Sequence, residues 1–213
     1  PDPVFHNQHT YIYQKAALDA FTESGREGIT FARSANPLNA SLGAYWAGDQ
    51  HAEWSRLLMV LRAGLSTSLS GFPLWAHDIG AYTGDPSKEL YIRWMQIGAF
   101  SPIMQFHGIL AREPWIFDAQ TVELARFYCG VREKLRPKLL AWAKGVKDGE
   151  PILRPLVWHF PDDPVAQSLE SQFMLGPDLI VAPVLDPLDA CGVYLPRGRW
   201  VDLWSGETLT GPT

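Results

Sequence analysis

Two short apolar, aromatic runs constrain this chain most, because each closes on an aspartate and is followed by a helix-forming segment. The first is Tyr45-Trp46-Ala47-Gly48-Asp49-Gln50, and the second is Pro73-Leu74-Trp75-Ala76-His77-Asp78-Ile79-Gly80. A strand that delivers a carboxylate at its end and then gives way to a helix is the repeating unit of a βα barrel. In such barrels the chemistry gathers at the C-terminal ends of the strands. A carboxylic acid at that mouth, beside an indole, is also what glycoside hydrolysis needs for its proton donor.

The rest of the first 150 residues keeps this rhythm. A helix is expected from about His6 to Ser24, with Tyr11, Tyr13, Ala17, Leu18 and Phe21 along one side and Ser24-Gly25 closing it. Gly28 to Ser34 predicts a short buried strand carrying Arg33 at its end. Ala44 to Gly48 and Pro73 to Asp78 predict two more strands, with a helix over Ala52 to Leu69 between them. Ser87 caps a helix from about Lys88 to Ala99. Asp118 caps a long helix through Trp142, with a break or kink at Pro137. Met104 to Gly108 reads as an irregular loop.

After about Glu150 the rhythm changes. Ile152–Trp158, Asp178–Val184, Val193–Pro196 and Trp200–Trp204 predict short strands split by Gly and Pro. The expected fold class is therefore α/β. Residues 1–175 read as the C-terminal half of a (β/α)8 barrel and 176–213 as the start of an antiparallel β-sandwich. At most four barrel strands can be counted, whereas a complete barrel usually takes about 250 residues. The chain opens Pro1-Asp2-Pro3 without Met, so it reads as part of a longer polypeptide with the other barrel half ahead of Pro1.

Composition narrows the function classes. The formal net charge of −5, from 18 basic and 23 acidic residues, argues against nucleic acid and anionic membrane surfaces. No apolar run approaches the roughly 18 residues of a membrane span. Cys129 and Cys191 form no CxxC or zinc spacing and read as structural thiols. The compartment stays open, with the cytoplasm slightly favoured. His6, His9, His51, His77 and His159 show no paired-ligand spacing, so no metal and no organic cofactor is expected. Nine Trp suit flat stacking against sugar faces as well as a core.

Each candidate residue carries a structural and a functional reading. Asp49 is either the N-cap of the helix that follows or a general acid. Asp78 is either part of a strand-end turn before Gly80, a hydroxyl acceptor, or a second catalytic carboxylate. Sequence does not give the separation of the two aspartates, which decides retaining against inverting chemistry. Arg33 either closes a barrel salt bridge or holds Asp49 or a hydroxyl at the mouth. A lone histidine is commonly structural, but the loop setting of His107 favours substrate binding.

At these residues the chain resembles glycoside hydrolase family 31, the α-glucosidase and α-xylosidase family. Arg33-Ser34, Trp46-Ala47-Gly48-Asp49, Gly64-Leu65-Ser66, Leu69-Ser70-Gly71-Phe72-Pro73 and His77-Asp78-Ile79-Gly80 occur in family order. Glu89 to Phe100, His107-Gly108, Arg154-Pro155-Leu156, Gln172 to Gly176, Ala182-Pro183-Val184, Val193 to Pro196 and Trp200-Val201-Asp202 continue the similarity nearly to the C-terminus. In the resemblance, Arg154-Pro155-Leu156 matches the last barrel strand.

The resemblance implies a retaining, exo-acting α-glycosidase acting on a carbohydrate. Asp49 matches the general acid/base, and Arg33, Trp46, Asp78 and His107 match positions lining the subsite for the nonreducing sugar. Asp78 then binds hydroxyls and is not Asp49's catalytic partner. Tyr82 stands where the family often has Phe, and would stack on sugar or add a hydroxyl contact. The family's nucleophile lies upstream of the segment resembling Phe5-His6-Asn7, so this chain alone is expected to be inactive. Gln105 stands where many members have Arg, and Ala81 where many have Gly, which leaves the exact substrate open. Asp49-Gln50 and Tyr82-Thr83 are similar to the sulfoquinovosidase branch. An α-transglucosidase shares the same residues, and a catalytically incomplete sugar-binding piece is the non-enzyme alternative.

Overall fold

The computed structural model describes residues 3–146, 149–188 and 190–213; Pro1 and Asp2 lie outside them. Helix α1 (Pro3–Glu23) leads through a turn at Gly25 to β1 (Thr30–Ala32). Next come β2 (Gly43–Trp46), α2 (Trp54–Leu69), β3 (Trp75–Ala76), α3 (Lys88–Ala99) and the long α4 (Ala119–Gly145). Strands β1, β2 and β3 form a parallel sheet in that order, with Ala32 opposite Tyr45 and Trp46 opposite Ala76. A fourth parallel segment lies beyond β3. Ile103 N–H donates to Trp75 O, and Ile79 N–H donates to Gln105 O. Asp78 and Gln105 form a parallel bridge. The segment expected as an irregular loop thus enters the sheet, and only its continuation through His107 is irregular.

The helices follow from their patterns. α2 buries Leu57, Val60, Leu61, Gly64, Leu65 and Ser68, a stripe at three- and four-residue spacing. Ser87 caps α3 by accepting from Leu90 N–H, and Asp118 caps α4 by accepting from Thr121 N–H. A hydrogen bond from Lys88, together with those from Thr121, lowers the Asp118 carboxyl to about 2. Pro137 does not break α4. Packing offsets the missing N–H, since α4 lies along α3 and seats Leu139 and Ala125 in two separate core clusters.

The antiparallel part consists of two small sheets. Strand β4 (Leu153–Pro155) pairs with β5 (Phe173–Leu175), which pairs with β6 (Leu179–Val181). The other sheet is the β7 (Gly198–Val201) and β8 (Thr208–Gly211) ribbon. A short helix, α5 (Pro164–Ser168), lies between β4 and β5. One cluster of buried side chains joins Leu61, Leu65 and Trp75 to Ile152, Leu153, Phe173 and Val181, so the first antiparallel sheet packs directly on the α/β part.

Several expectations are corrected here. The Ile152–Trp158 strand stops at Pro155 and continues as a single 3-10 turn over Leu156–Trp158. It pairs antiparallel with β5 rather than extending the parallel sheet. The β4–β5–β6 sheet also crosses the 175/176 boundary, because β5 and β6 are a hairpin on either side of it. Strand β1 is not buried along its length. Ile29 and Phe31 are exposed and only Thr30 is buried, because β1 lies at the edge of its sheet. Cys129 and Cys191 are free and exposed, so neither thiol holds the core.

Candidate active site

Each candidate side chain sits just past the C-terminal end of a parallel segment, or at it. Trp46 ends β2, Arg33 follows β1, Asp49 follows β2, Asp78 follows β3, and His107 follows the 103–105 run. Parallel strands present their C-terminal ends on one side, so four separate stretches of sequence converge on one face.

Arg33 and Asp49 meet there. Arg33 Nη2 donates to Asp49 Oδ2 at 2.9 Å, and its guanidinium lies 5.9 Å from the centroid of the Trp46 ring. Gly48, at a φ of +78°, turns the backbone between the indole and the carboxylate, a conformation that favours glycine. The N-cap reading of Asp49 fails: α2 is preceded by Glu53, which makes no side-chain capping bond. Arg33 and Asp49 side chains are 57% and 35% exposed, so solvent screens the pair. It contributes at most about 1 kcal/mol to stability and serves mainly to aim Oδ2. Trp46 packs against Phe31 at 5.5 Å, and its Nε1 is buried without a partner.

Asp78 differs in kind, being completely buried. Gln105 Nε2 donates to its Oδ1, while Oδ2 is buried without a partner among the described residues. Burial pushes the carboxyl above its usual range. The Gln105 hydrogen bond and nearby His107 pull it back, Asp49 pushes it up, and Arg112 pulls it down. Asp78 is closed off from solvent here, and the side-chain hydrogen bond it makes among the described residues is the one it accepts from Gln105.

Tyr82 and His107 pair across the face, with ring centroids 5.3 Å apart and planes tilted by 41°. Their turn is tied down from two sides. Gln50 O accepts from Tyr82 N–H and Thr83 N–H. Arg112, nearly fully buried, donates Nε to Ala81 O at 2.7 Å and Nη2 to Gly84 O at 2.7 Å, with a weaker contact to Tyr82 O. This clamp holds Ala81 at a φ of +67°, a conformation that costs a residue with a Cβ about 1 kcal/mol. The sequence reading missed Arg112, since a single arginine in an irregular stretch carries no motif. Spatial contact alone reveals it.

Beneath Asp78, His77 is buried in a closed chain of hydrogen bonds. Trp94 Nε1–H donates to Nδ1 at 3.0 Å, so Nδ1 carries no proton. Nε2–H then faces Ser101 Oγ at 3.0 Å, and that hydroxyl donates onward to Ile97 O. Burial lowers the imidazole to about 4. His77 is thus a neutral strut joining β3 to α3. Among the described residues no three His, Cys, Asp or Glu side chains converge as a metal cluster, and no helix is long and apolar enough to cross a membrane.

Comparisons with known proteins agree with this arrangement. Residues 2–141 match the TIM-barrel domain of glycosyl hydrolases family 31, and residues 149–213 match that family's C-terminal domain. An α-xylosidase from Emericella nidulans is 35% identical over 201 residues, covering 92% of this chain and 26% of the relative. A sulfoquinovosidase from Escherichia coli is 35% identical, covering 98% of this chain and 33% of the relative. The solved cycloalternan-degrading enzyme from Trueperella pyogenes in complex with isomaltose superposes with a TM-score of 0.89 at 34% identity, covering 94% of this chain and 31% of that one. The chain thus spans about a quarter to a third of the length of these relatives. Strand-end chemistry on a parallel sheet, an antiparallel unit packed against it and two family matches covering nearly every residue lead to one conclusion: the chain belongs to glycosyl hydrolase family 31.

Proposed function

We propose that this segment carries the acid/base half of an exo-acting, retaining α-glycoside hydrolase of α-glucosidase or α-xylosidase type. The observation that carries the reading is the Arg33–Asp49 pair at the strand ends beside Trp46. Arg33 engages Oδ2 and leaves Oδ1 without a hydrogen-bond partner among the described residues.

In the proposed reaction a second carboxylate attacks the anomeric carbon. The bond to the leaving oxygen breaks as Asp49 gives that oxygen its proton. Asp49, now a carboxylate, takes a proton from water as the water attacks the glycosyl–enzyme bond, and the sugar leaves with its configuration retained. The second carboxylate stands about 5–5.5 Å from Asp49 in such a mechanism. We assign it to the polypeptide outside this segment, on a strand ahead of α1. One observation supports that assignment: the relatives are three to four times longer than this chain. The same reading makes the isolated segment inactive. Arg33, Trp46, Tyr82 and His107 line the sugar subsite. A sugar hydroxyl in place of water turns the second step into transglycosylation with the same residues.

The test is made in the complete polypeptide that carries this segment. Asp49→Asn should lose on the order of 10²–10⁴-fold in rate on an α-glycoside with a poor leaving group. The loss in the first step should be far smaller on an aryl α-glycoside whose leaving group needs no proton. Equal rates for variant and parent on both substrates would remove Asp49 from the mechanism. A parent inactive on every α-glycoside would favour the non-catalytic sugar-binding alternative.

A further inference from the structure

We propose that Gln105, held in orientation by buried Asp78, is the residue that contacts a ligand hydroxyl and so determines specificity at this edge of the site. This rests on the α-glycosidase reading above. The two side chains divide sharply by exposure. Asp78 is closed off from solvent, whereas Gln105 is only half-buried and sits where the 103–105 run emerges toward the face that carries His107.

The orientation of the amide follows from its partner. A carboxylate oxygen accepts and does not donate, so the Gln105 amide must turn Nε2 toward Asp78 Oδ1. That fixes the other end of the group. Oε1 and the second N–H have no hydrogen-bond partner among the described residues, and their directions are set by the contact with Asp78. Gln105 lies two residues before His107, whose ring meets Tyr82, so its half-buried amide stands at the edge of the same face.

The chemistry of the ligand follows from the free atoms. One carbonyl oxygen and one N–H on a neutral group complement a hydroxyl, which donates one hydrogen bond and accepts another. The amide has no charge with which to hold a sulfonate, phosphate or carboxylate. At this position the structure therefore favours an uncharged hydroxyl of the sugar ring. Asp78 is a positioning residue in this scheme, since removing it leaves the amide free to rotate.

The experiment uses the complete polypeptide carrying this segment, with aryl α-glycosides of the preferred sugar and its monodeoxy analogues. Gln105→Met keeps the length of the side chain and removes its hydrogen bonds. Its expected effect is about a tenfold rise in KM on the full sugar, with kcat within about threefold. That rise should vanish on one monodeoxy analogue, the one lacking the contacted hydroxyl. Asp78→Ala should erase the same discrimination, and adding Gln105→Met to it should change nothing further. The proposal is overturned if Gln105→Met weakens every analogue equally, which marks a merely structural role. It is also overturned if Gln105→Met keeps the discrimination that Asp78→Ala loses, which marks direct contact by Asp78. If Asp78→Ala does not fold, the Gln105→Met series alone decides. A parent inactive on all glycosides instead refutes the underlying α-glycosidase reading.

Discussion

Acid should act on this fold first through His77. The imidazole is fully buried and neutral, and it is lowered from 6.5 to about 4 by burial. Above pH 6.5 the histidine is uncharged in both folded and unfolded chains, and its contribution to stability is complete. As the pH falls below 6.5 the unfolded chain takes up a proton that the folded chain refuses, so stability drops with pH. The loss is complete near pH 4, where the folded state also protonates. At about 1.4 kcal/mol per pH unit, the gap between 6.5 and about 4 is worth roughly 3 kcal/mol. For a chain of this size that corresponds to a fall of roughly 6–12 °C in Tm. Asp78 works in the other direction. Its carboxyl is raised, so its stabilising contribution is fully present below its ordinary value and lost as pH rises through the raised one.

A variant isolates the histidine from this opposing group. Gln in place of His77 offers an oxygen to Trp94 and an N–H to Ser101 without titrating. His77→Gln should cost about 1–2 kcal/mol near pH 7 through imperfect packing. Below pH 6.5 the parent should lose roughly 3 kcal/mol relative to it. Tm measured for both proteins from neutral pH down to about 4.5 gives the comparison. Parallel curves would refute the assignment, as would an imidazole at position 77 that titrates near 6.5 by NMR.

Two further outcomes follow from the same geometry. Arg112→Leu removes the buried donors to Ala81 O and Gly84 O, leaving carbonyls unpaired; it should destabilise the protein by about 3 kcal/mol in chemical denaturation and raise KM through the displaced Tyr82. Arg33→Met should do the opposite, moving stability by less than about 1 kcal/mol while lowering kcat/KM at least tenfold, because the exposed pair aims Asp49 and contributes little to the fold.

The parts of this site that were legible in the sequence are those written as a local pattern. Asp49 ends an apolar run, so its place at a strand mouth follows from alternation between strand and helix. Ser87 and Asp118 precede helical runs and do cap them. What escaped depends on partners distant in sequence. Asp49 does not cap a helix because α2 starts only after Glu53, and its carboxylate is held instead by Arg33, sixteen residues earlier. Gln105 falls in a stretch whose sequence predicts a loop, yet one backbone bond to β3 at Trp75 and one from Ile79 just beyond it draw the segment into the sheet. The resemblance places β4 as the last barrel strand, and a run of apolar residues does not reveal the direction of its neighbour. That direction came from Phe173–Leu175, about twenty residues later.

Burial then separates residues that motif order places together. Asp49 and Asp78 look alike in sequence, each an aspartate closing an aromatic strand. In space one is an exposed carboxylate steered by a cation, and the other is sealed and tied to an amide. A proton must pass between Asp49 and a leaving oxygen or water in the proposed reaction. Asp78 is shut off from water, with Oδ2 unpaired among the described residues. Its placement makes the strand end rigid: its backbone carbonyl starts the turn to Ala81, its side chain fixes Gln105, and His77 anchors it to α3 from below. Two similar aspartates are thus set apart by which of them the surrounding helices and loops cover, and under the proposal above the substrate-facing group at Asp78's strand end is the amide that it orients.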